Sequence, residues 1–558
     1  KAQTAKQYRA CEGFLRADTG TLTMAPSQNH VVFMNMAATG HMNPTLPLVA
    51  ELVARGCKVS YFVEETMRAV VEAAGATWRP FRYPGSDFTG ILRNPSDFEA
   101  IGEENLRAVG VPQSTPIASY GFPWCLVYNA QLVLPNLMDD LQVLDPPVSA
   151  IVYEPFLACA RVAAHALGVP PISLFTMTGP GVLSMPPDIV ESCEKQPWVQ
   201  QPRRWIQESY GLDVLENGLM MEFYSPTQNL VTSFQELYMP PSSEHQIKRF
   251  GHFPFHCVGA LVDPRVKRIE NAGDGANAPS LSGEGTVNTL TLTPEFSSAA
   301  LPLQQIREAR NSDRRIVLIS LGTVVTQRMW RRPLGLASRR NDERPEGSRS
   351  ITEYTGKEFC QYVYEACFEA VRQDQNLLAI FAMGSNGEEA LEGIAPPPCN
   401  AILRESVAQV ELLPLCDAFV THGGANSMHE ALALALPQAI IPVFGDQIYN
   451  ADALASSGAG ISFRHPLKTL TAETLQSALH SLLQTHGPNT YKSAAGRLSK
   501  QLAAAGGVRK AADLVLEAMG AARLHENEEE GASATSLPTL LASVSGQACQ
   551  VYEKSVQQ

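Results

Sequence analysis

The segment FVTHGGANSMHEALALALPQAIIPVFGDQ (Phe419–Gln447) decides how the chain is read. An apolar run ends in His422, two glycines follow, a helical stretch begins near Asn426 or Ser427, and a second apolar run leads to Asp446-Gln447. Strand, loop, helix and strand in this order make the β-α-β unit of a parallel sheet. Ligands of such sheets lie beyond the carboxyl ends of the strands, which is where this order delivers His422. Gly423 and Gly424 let the backbone turn and approach a ligand closely. The helix start adds unpaired N–H groups and a partial positive charge of about half a unit, a natural seat for phosphate. Neither GxGxxG nor GxxxxGK[ST] occurs here, so neither a dinucleotide fingerprint nor a P-loop is offered. Ser427 and Glu430 also fit a capping box, in which they would serve only the first amides of their own helix.

The same grammar extends in both directions. RRIVLISLGT (314–323), CQYVYEACFEAVRQD and NLLAIFAMG read as strand, helix and strand, and VAQVELLPLC as a short helix, so the second half of the chain is an α/β domain. The first half repeats the pattern. HVVFMNM (30–36) is a strand, AATGHMN a loop, and Asn43 is placed to cap a helix with Pro44 at its first position, Leu46, Val49, Ala50 and Val53 on its apolar stripe and Gly56 at its end. KVSYFV completes that unit, and VSAIVYEPF, LACARVAAHALG and VPPISLF form another. Two doubly wound parallel sheets are expected to face each other across a cleft.

The expected divisions are an N-terminal extension over 1–29, a first domain over 30–265, a Gly/Ser/Asn/Pro-rich linker or insertion over 266–313, a second domain over 314–525 and an acidic tail over 526–558. Residues 328–350 form a basic insertion in the second domain, open to reading as a solvated loop or as a phosphate or membrane-surface contact. A chain of 558 residues exceeds one core, and its net charge of −13 argues against nucleic acid as a partner. The 11 cysteines are scattered without a CxxC pair, which fits reduced thiols and a cytoplasmic setting. No apolar run reaches the roughly 18 residues of a membrane span.

The second-half motif resembles the donor signature of the nucleotide-sugar glycosyltransferases that modify small molecules, the superfamily of plant secondary-product, macrolide and UDP-glucuronosyl transferases with the GT-B fold. That signature runs close to W-x-P-Q, T-H-C/G-G-x-N-S-x-x-E, G-V-P and D/E-Q. Here it reads SVAQ (406–409), THGGANSMHE (421–430), ALP (435–437) and DQ (446–447). The resemblance implies that Gln409 and Glu430 hold the ribose hydroxyls, that His422, Gly424, Asn426 and Ser427 hold the diphosphate, and that Asp446 and Gln447 hold the sugar. SLGT (320–323) resembles the other phosphate-side loop and adds Gly322 and Thr323. Ser406 stands where many members carry the Trp that stacks on the base, and Ala408 replaces the Pro.

NMAATGHMNP resembles the opening of the macrolide-type branch, in which the His after the first strand is the general base. His41 holds that place. A neutral imidazole can accept the proton of an acceptor hydroxyl at pH 7. Many relatives orient this His with an Asp; the matching strand end here carries Glu154, which also fits a solvated strand terminus. The expectation is an inverting, metal-independent transferase with the UDP-sugar as co-substrate, no other cofactor, and glucose as the sugar. The acceptor would be an apolar hydroxyl compound facing STPIASYGFPWCLVYNAQLVLPNL and TMTGPGVLSMPP, stretches that equally suit a core. Alternatives on the same scaffold are a nucleotide-sugar epimerase or hydrolase, and a non-catalytic sensor or lipid carrier.

Overall fold

The computed structural model describes residues 28–532 except 93–96, 98–99, 111–125, 184–186, 220–221, 264, 267, 270–295, 297–300, 336–337, 339–341 and 485–487. The extension before residue 28, the tail beyond 532, most of the linker and part of the apolar stretch at 114–137 therefore lie outside the described residues.

The first lobe is built on a parallel sheet of β1 (His30–Met34), β2 (Lys58–Phe62), β3 (Thr77–Arg79), β4 (Ala150–Tyr153), β5 (Pro171–Phe175), β6 (Asn229–Val231) and β7 (Phe255–Cys257). Their order across the sheet is β3-β2-β1-β4-β5-β6-β7. Val31 and Phe33 pack with Tyr61, Val152 and Leu174 on one face, whereas Val32 and Met34 join Phe62, Ile151 and Phe175 on the other. Burial on both faces is why these strands read as unbroken apolar runs and not as alternating ones.

The second lobe repeats the plan with β8 (Arg315–Ser320), β9 (Leu377–Ala382), β10 (Ala401–Arg404), β11 (Ala418–Thr421), β12 (Gln438–Ile440) and β13 (Gly460–Ser462), ordered β10-β9-β8-β11-β12-β13. Val317, Ile319 and Val420 face one core cluster, Ile316, Leu318 and Phe419 the other. In each lobe the strand order turns at its centre, between β1 and β4 and between β8 and β11. Loops leaving neighbouring strands there run to opposite faces, so a crevice opens at their carboxyl ends.

Several segments depart from simple expectation. Leu303–Asn311, within the stretch read as linker, is a helix whose Ile306 and Ala309 are buried beside β8. Trp330 and Leu334, in the basic insertion, are buried in the second lobe's core. The last helix, Gly507–Ala532, returns to the first lobe, where Ala511, Ala512, Val515 and Met519 pack with Val31, Leu48 and Leu52. Among the described residues, no helix is long and apolar enough to cross a membrane.

Two capping expectations are corrected. Asn43 does not cap a helix: Thr39–Met42 already forms a helical turn, Pro44 precedes the helix Thr45–Ala54, and the Asn43 amide is engaged by the backbone of Ile269. A segment distant in sequence has taken the side chain that local pattern assigned to the helix. Nor do Ser427 and Glu430 form a capping box; the helix Ala425–Ala433 starts at Gly424 with no side-chain cap. Both side chains turn instead to Gln409.

Candidate functional site

Three adjacent strands of the first lobe supply one corner of the cleft. His41 lies in the helical turn after β1, Glu154 directly follows β4, and Thr176 directly follows β5. His41 Nδ1 is 2.9 Å from Glu154 Oε2, and Thr176 Oγ1 is 3.3 Å from the same ring nitrogen. Glu154 is wholly buried, so it is no solvated strand terminus, and its extra methylene relative to Asp does not prevent the contact. A carboxylate at Nδ1 fixes the proton there and leaves Nε2 as the ring's acceptor. Phe156 lies against the imidazole with ring centroids 5.8 Å apart.

The second lobe supplies the facing corner. His422 follows β11, and its ring is sandwiched between Gly322 and Gly424. A Cβ at Gly322 would lie 2.5 Å from Cε1, and one at Gly424 2.5 Å from Nε2. Gly322 and Gly423 also adopt φ of +76° and +82°, values that favour glycine. Burial pushes the His422 pKa down to about 4, so the ring is neutral near pH 7 and presents one N–H. Thr323 precedes a π-turn over Val324–Arg328, closed in part by Thr326 Oγ1 donating to the Gly322 carbonyl at 2.8 Å.

The helix start beyond Gly424 is joined to the rest of the site by polar side chains. Gln409 Nε2 donates to Ser427 Oγ at 3.2 Å and to Glu430 Oε2 at 2.8 Å. Asp446 accepts from Asn450 Nδ2 at 2.9 Å. Burial raises the Asp446 pKa, while the Asn450 amide, His41 and the Ala425 backbone oppose the rise. His41 thus acts on Asp446 electrostatically from the other lobe. Gln447 Oε1 accepts from the amides of Val443 and Phe444, at 2.9 and 3.2 Å, which leaves its amide nitrogen for other partners.

The lobes meet at these same residues. Asn426 Nδ2 donates to the Gly40 carbonyl at 2.5 Å, one residue from His41. Thr178 Oγ1 donates to Asn450 Oδ1 at 3.0 Å, and Asn450 Nδ2 reaches the Gly423 carbonyl at 2.8 Å. The candidates His41, Glu154, Gly322, Thr323, Gln409, His422, Gly424, Asn426, Ser427, Glu430, Asp446 and Gln447 thus lie in the segments that follow the strands' carboxyl ends, with Gln409 reaching in from beyond the edge strand β10 and Glu430 from within the helix Ala425–Ala433. Sequence reasoning passed over Thr176, Asn450 and Arg268. Asn450 sits one helical turn beyond Asp446, a spacing that could have flagged it; Arg268 carried no local signal at all. Among the described residues no cluster of three or more His, Cys, Asp or Glu is arranged to hold a metal ion.

Comparison with known proteins bears on the family and the fold. The family profile described as "UDP-glucoronosyl and UDP-glucosyl transferase" matches residues 394–502. The "Uncharacterized UDP-glucosyltransferase YojK" of Bacillus subtilis is 39% identical over 495 residues, spanning 88% of this chain and 97% of that protein. The "Oleandomycin glycosyltransferase" of Streptomyces antibioticus is 24% identical, over 91% of this chain and 94% of that one. Among solved structures, the glycotransferase of kitacinnamycin superposes with a TM-score of 0.57 at 20% identity, covering 88% of this chain and all of its own, a likeness of fold.

Proposed function

The chain belongs to the UDP-glucuronosyl and UDP-glucosyl transferase family, a family of GT-B glycosyltransferases, and from that premise we propose that it moves a sugar from a UDP-sugar, with glucose as the expected sugar, onto a hydroxyl of an apolar small molecule, inverting the anomeric centre. The observation that carries this reading is the buried Glu154–His41 pair at 2.9 Å, set across the cleft from Asp446 and the His422 helix start.

In the proposed reaction the acceptor hydroxyl gives its proton to His41 Nε2 as its oxygen bonds to the anomeric carbon. The bond between that carbon and the diphosphate oxygen breaks on the opposite face, and its electron pair leaves with the UDP. Glu154 offsets the charge of the imidazolium that forms. Charge growing on the diphosphate meets the positive end of the helix Ala425–Ala433 and the N–H of the neutral His422 ring. Asp446 and the Gln447 amide would hold sugar hydroxyls, and Gln409 and Glu430 the ribose. With positive potential supplied by the helix and His422, the mechanism calls for no divalent ion. A small-molecule acceptor fits the likeness to the Oleandomycin glycosyltransferase, a protein named for oleandomycin.

The test is incubation with labelled nucleotide sugars and a lipophilic acceptor library, with and without EDTA. Transfer that requires acceptor, survives EDTA and yields the inverted anomer by NMR is expected. Donor turnover without acceptor would point to a hydrolase or epimerase, and binding without turnover to a sensor.

A further inference from the structure

We propose that Arg268 is a nucleoside-binding residue that makes the site selective for ribose over deoxyribose, by donating from its second guanidinium arm to the ribose 2′-hydroxyl. The proposal rests on Glu430 being the ribose carboxylate. Arg268 comes from the segment between the lobes, yet its Nη2 lies 2.6 Å from Glu430 Oε1, the two side chains being 20% and 5% exposed. The other Glu430 oxygen takes the Gln409 amide at 2.8 Å. The carboxylate is thus held in place from both sides, and each oxygen keeps lone-pair capacity for a hydroxyl donor.

The second arm of Arg268 is used differently. Nη1 is buried and, among the described residues, has no hydrogen-bond partner. A guanidinium paired with a buried carboxylate ordinarily engages through both arms, and a buried donor left unpaired costs stability until something accepts from it. The side chain lines a cavity together with Pro44, Asn426, His429 and Glu430, next to the start of the donor helix. Its backbone is also firmly placed: the adjacent Ile269 donates its N–H to Asn43 Oδ1 at 2.9 Å and accepts from Asn43 Nδ2 at 3.3 Å. Asn43 is two residues from His41, so the arm is fixed relative to both lobes.

A hydroxyl can donate and accept at once. A ribose 2′-hydroxyl that donates to Glu430 presents its oxygen to an N–H beside that carboxylate, and Nη1 is such a group. A 2′-deoxyribose offers neither half of this exchange and would leave Nη1 unpaired. Sites built around a substrate hydroxyl reject analogues lacking it for this reason.

The experiment is calorimetric titration of UDP and 2′-deoxy-UDP into the wild type, Arg268→Lys and Glu430→Gln. Lys keeps a cation beside Glu430 and removes the second arm. The wild type should prefer UDP by about 10- to 100-fold, the range of one hydrogen bond to a charged group. Arg268→Lys should lose most of that factor on UDP and less than about twofold on 2′-deoxy-UDP. Equal losses on both nucleotides, or none, would reduce Arg268 to a brace and overturn the proposal. Should Arg268→Lys fail to fold, Arg268→Gln takes its place in the same comparison, and equal wild-type affinity for the two nucleotides refutes the 2′-contact in either case. Wild-type UDP binding that Glu430→Gln leaves intact would instead remove the ribose-carboxylate assignment, and this proposal with it.

Discussion

Replacing Glu154 by Gln tests whether the buried carboxylate assists the His41 base, because it removes the charge and keeps the side chain's size. Glu154 Oε2 lies 2.9 Å from His41 Nδ1 and the carboxylate is wholly buried, so solvent screens the pair little. Two unit charges with centres about 4 Å apart interact by about 4 kcal/mol at an effective dielectric of 20. The imidazole carries only part of the proton in the transition state, so about half to all of that energy, roughly 2 to 4 kcal/mol, is at stake. The corresponding loss in kcat is about 30- to 10³-fold. Gln can still accept from Nδ1–H, so the ring should keep its orientation, and UDP affinity, set in the other lobe, should stay within about twofold. The assay is steady-state transfer to a lipophilic alcohol at saturating donor and acceptor, with UDP binding measured in parallel. A kcat within about twofold of the wild type, in a folded variant, would refute the electrostatic role. A loss confined to UDP affinity would place Glu154 in donor binding instead.

Three further predictions concern the second lobe and pH. Gly424→Ala puts a methyl 2.5 Å from His422 Nε2 with no change of backbone region, so the ring must move; UDP affinity should fall by about tenfold or more, at an overpacking cost of about 1 to 3 kcal/mol read by thermal melts. His422 and His429 are both held to about 4 by burial, below the ordinary 6.5, so they stabilise the fold fully above pH 6.5. Their contribution is lost as pH falls from 6.5 towards 4, about 3 kcal/mol for each ring. Buried Glu222 runs the other way: burial raises its pKa to about 8 despite the hydrogen bond that Gln246 Nε2 donates to it, so its stability contribution is lost as pH rises from 4.5 through 8. Glu222→Gln should therefore raise Tm at pH 8 and flatten the alkaline decline; an unchanged profile would contradict it.

Much of this architecture was legible because burial leaves a local trace. β1, β4, β8, β9 and β11 are covered on both faces, and such strands must be apolar through their middle, as VVFM (31–34) and IVLI (316–319) are. β3, β6, β7 and β13 have three residues each, too few to show a period, and all four lie at or next to a sheet edge. His41, Glu154 and His422 could be found because each directly follows or closely trails a readable strand. Asn43 and Glu430 carried local signals that proved misleading, as tertiary partners, Ile269 for one and Gln409 and Arg268 for the other, outcompete helix capping. Arg268 lay in a stretch whose composition reads as linker, and only the closing of two lobes places its guanidinium on a carboxylate 162 residues later. Likewise the amphipathic pattern of Gly507–Ala532 marks a helix but not which lobe it covers.

The most direct test of the central claim is single-turnover transfer by His41→Ala with donor and acceptor saturating, alongside the Kd for UDP. Transfer slowed by about 10²- to 10⁴-fold with the UDP Kd within about twofold is the expected result. Transfer at the wild-type rate, or a loss explained entirely by weakened donor binding, would contradict an imidazole acting as base across this cleft.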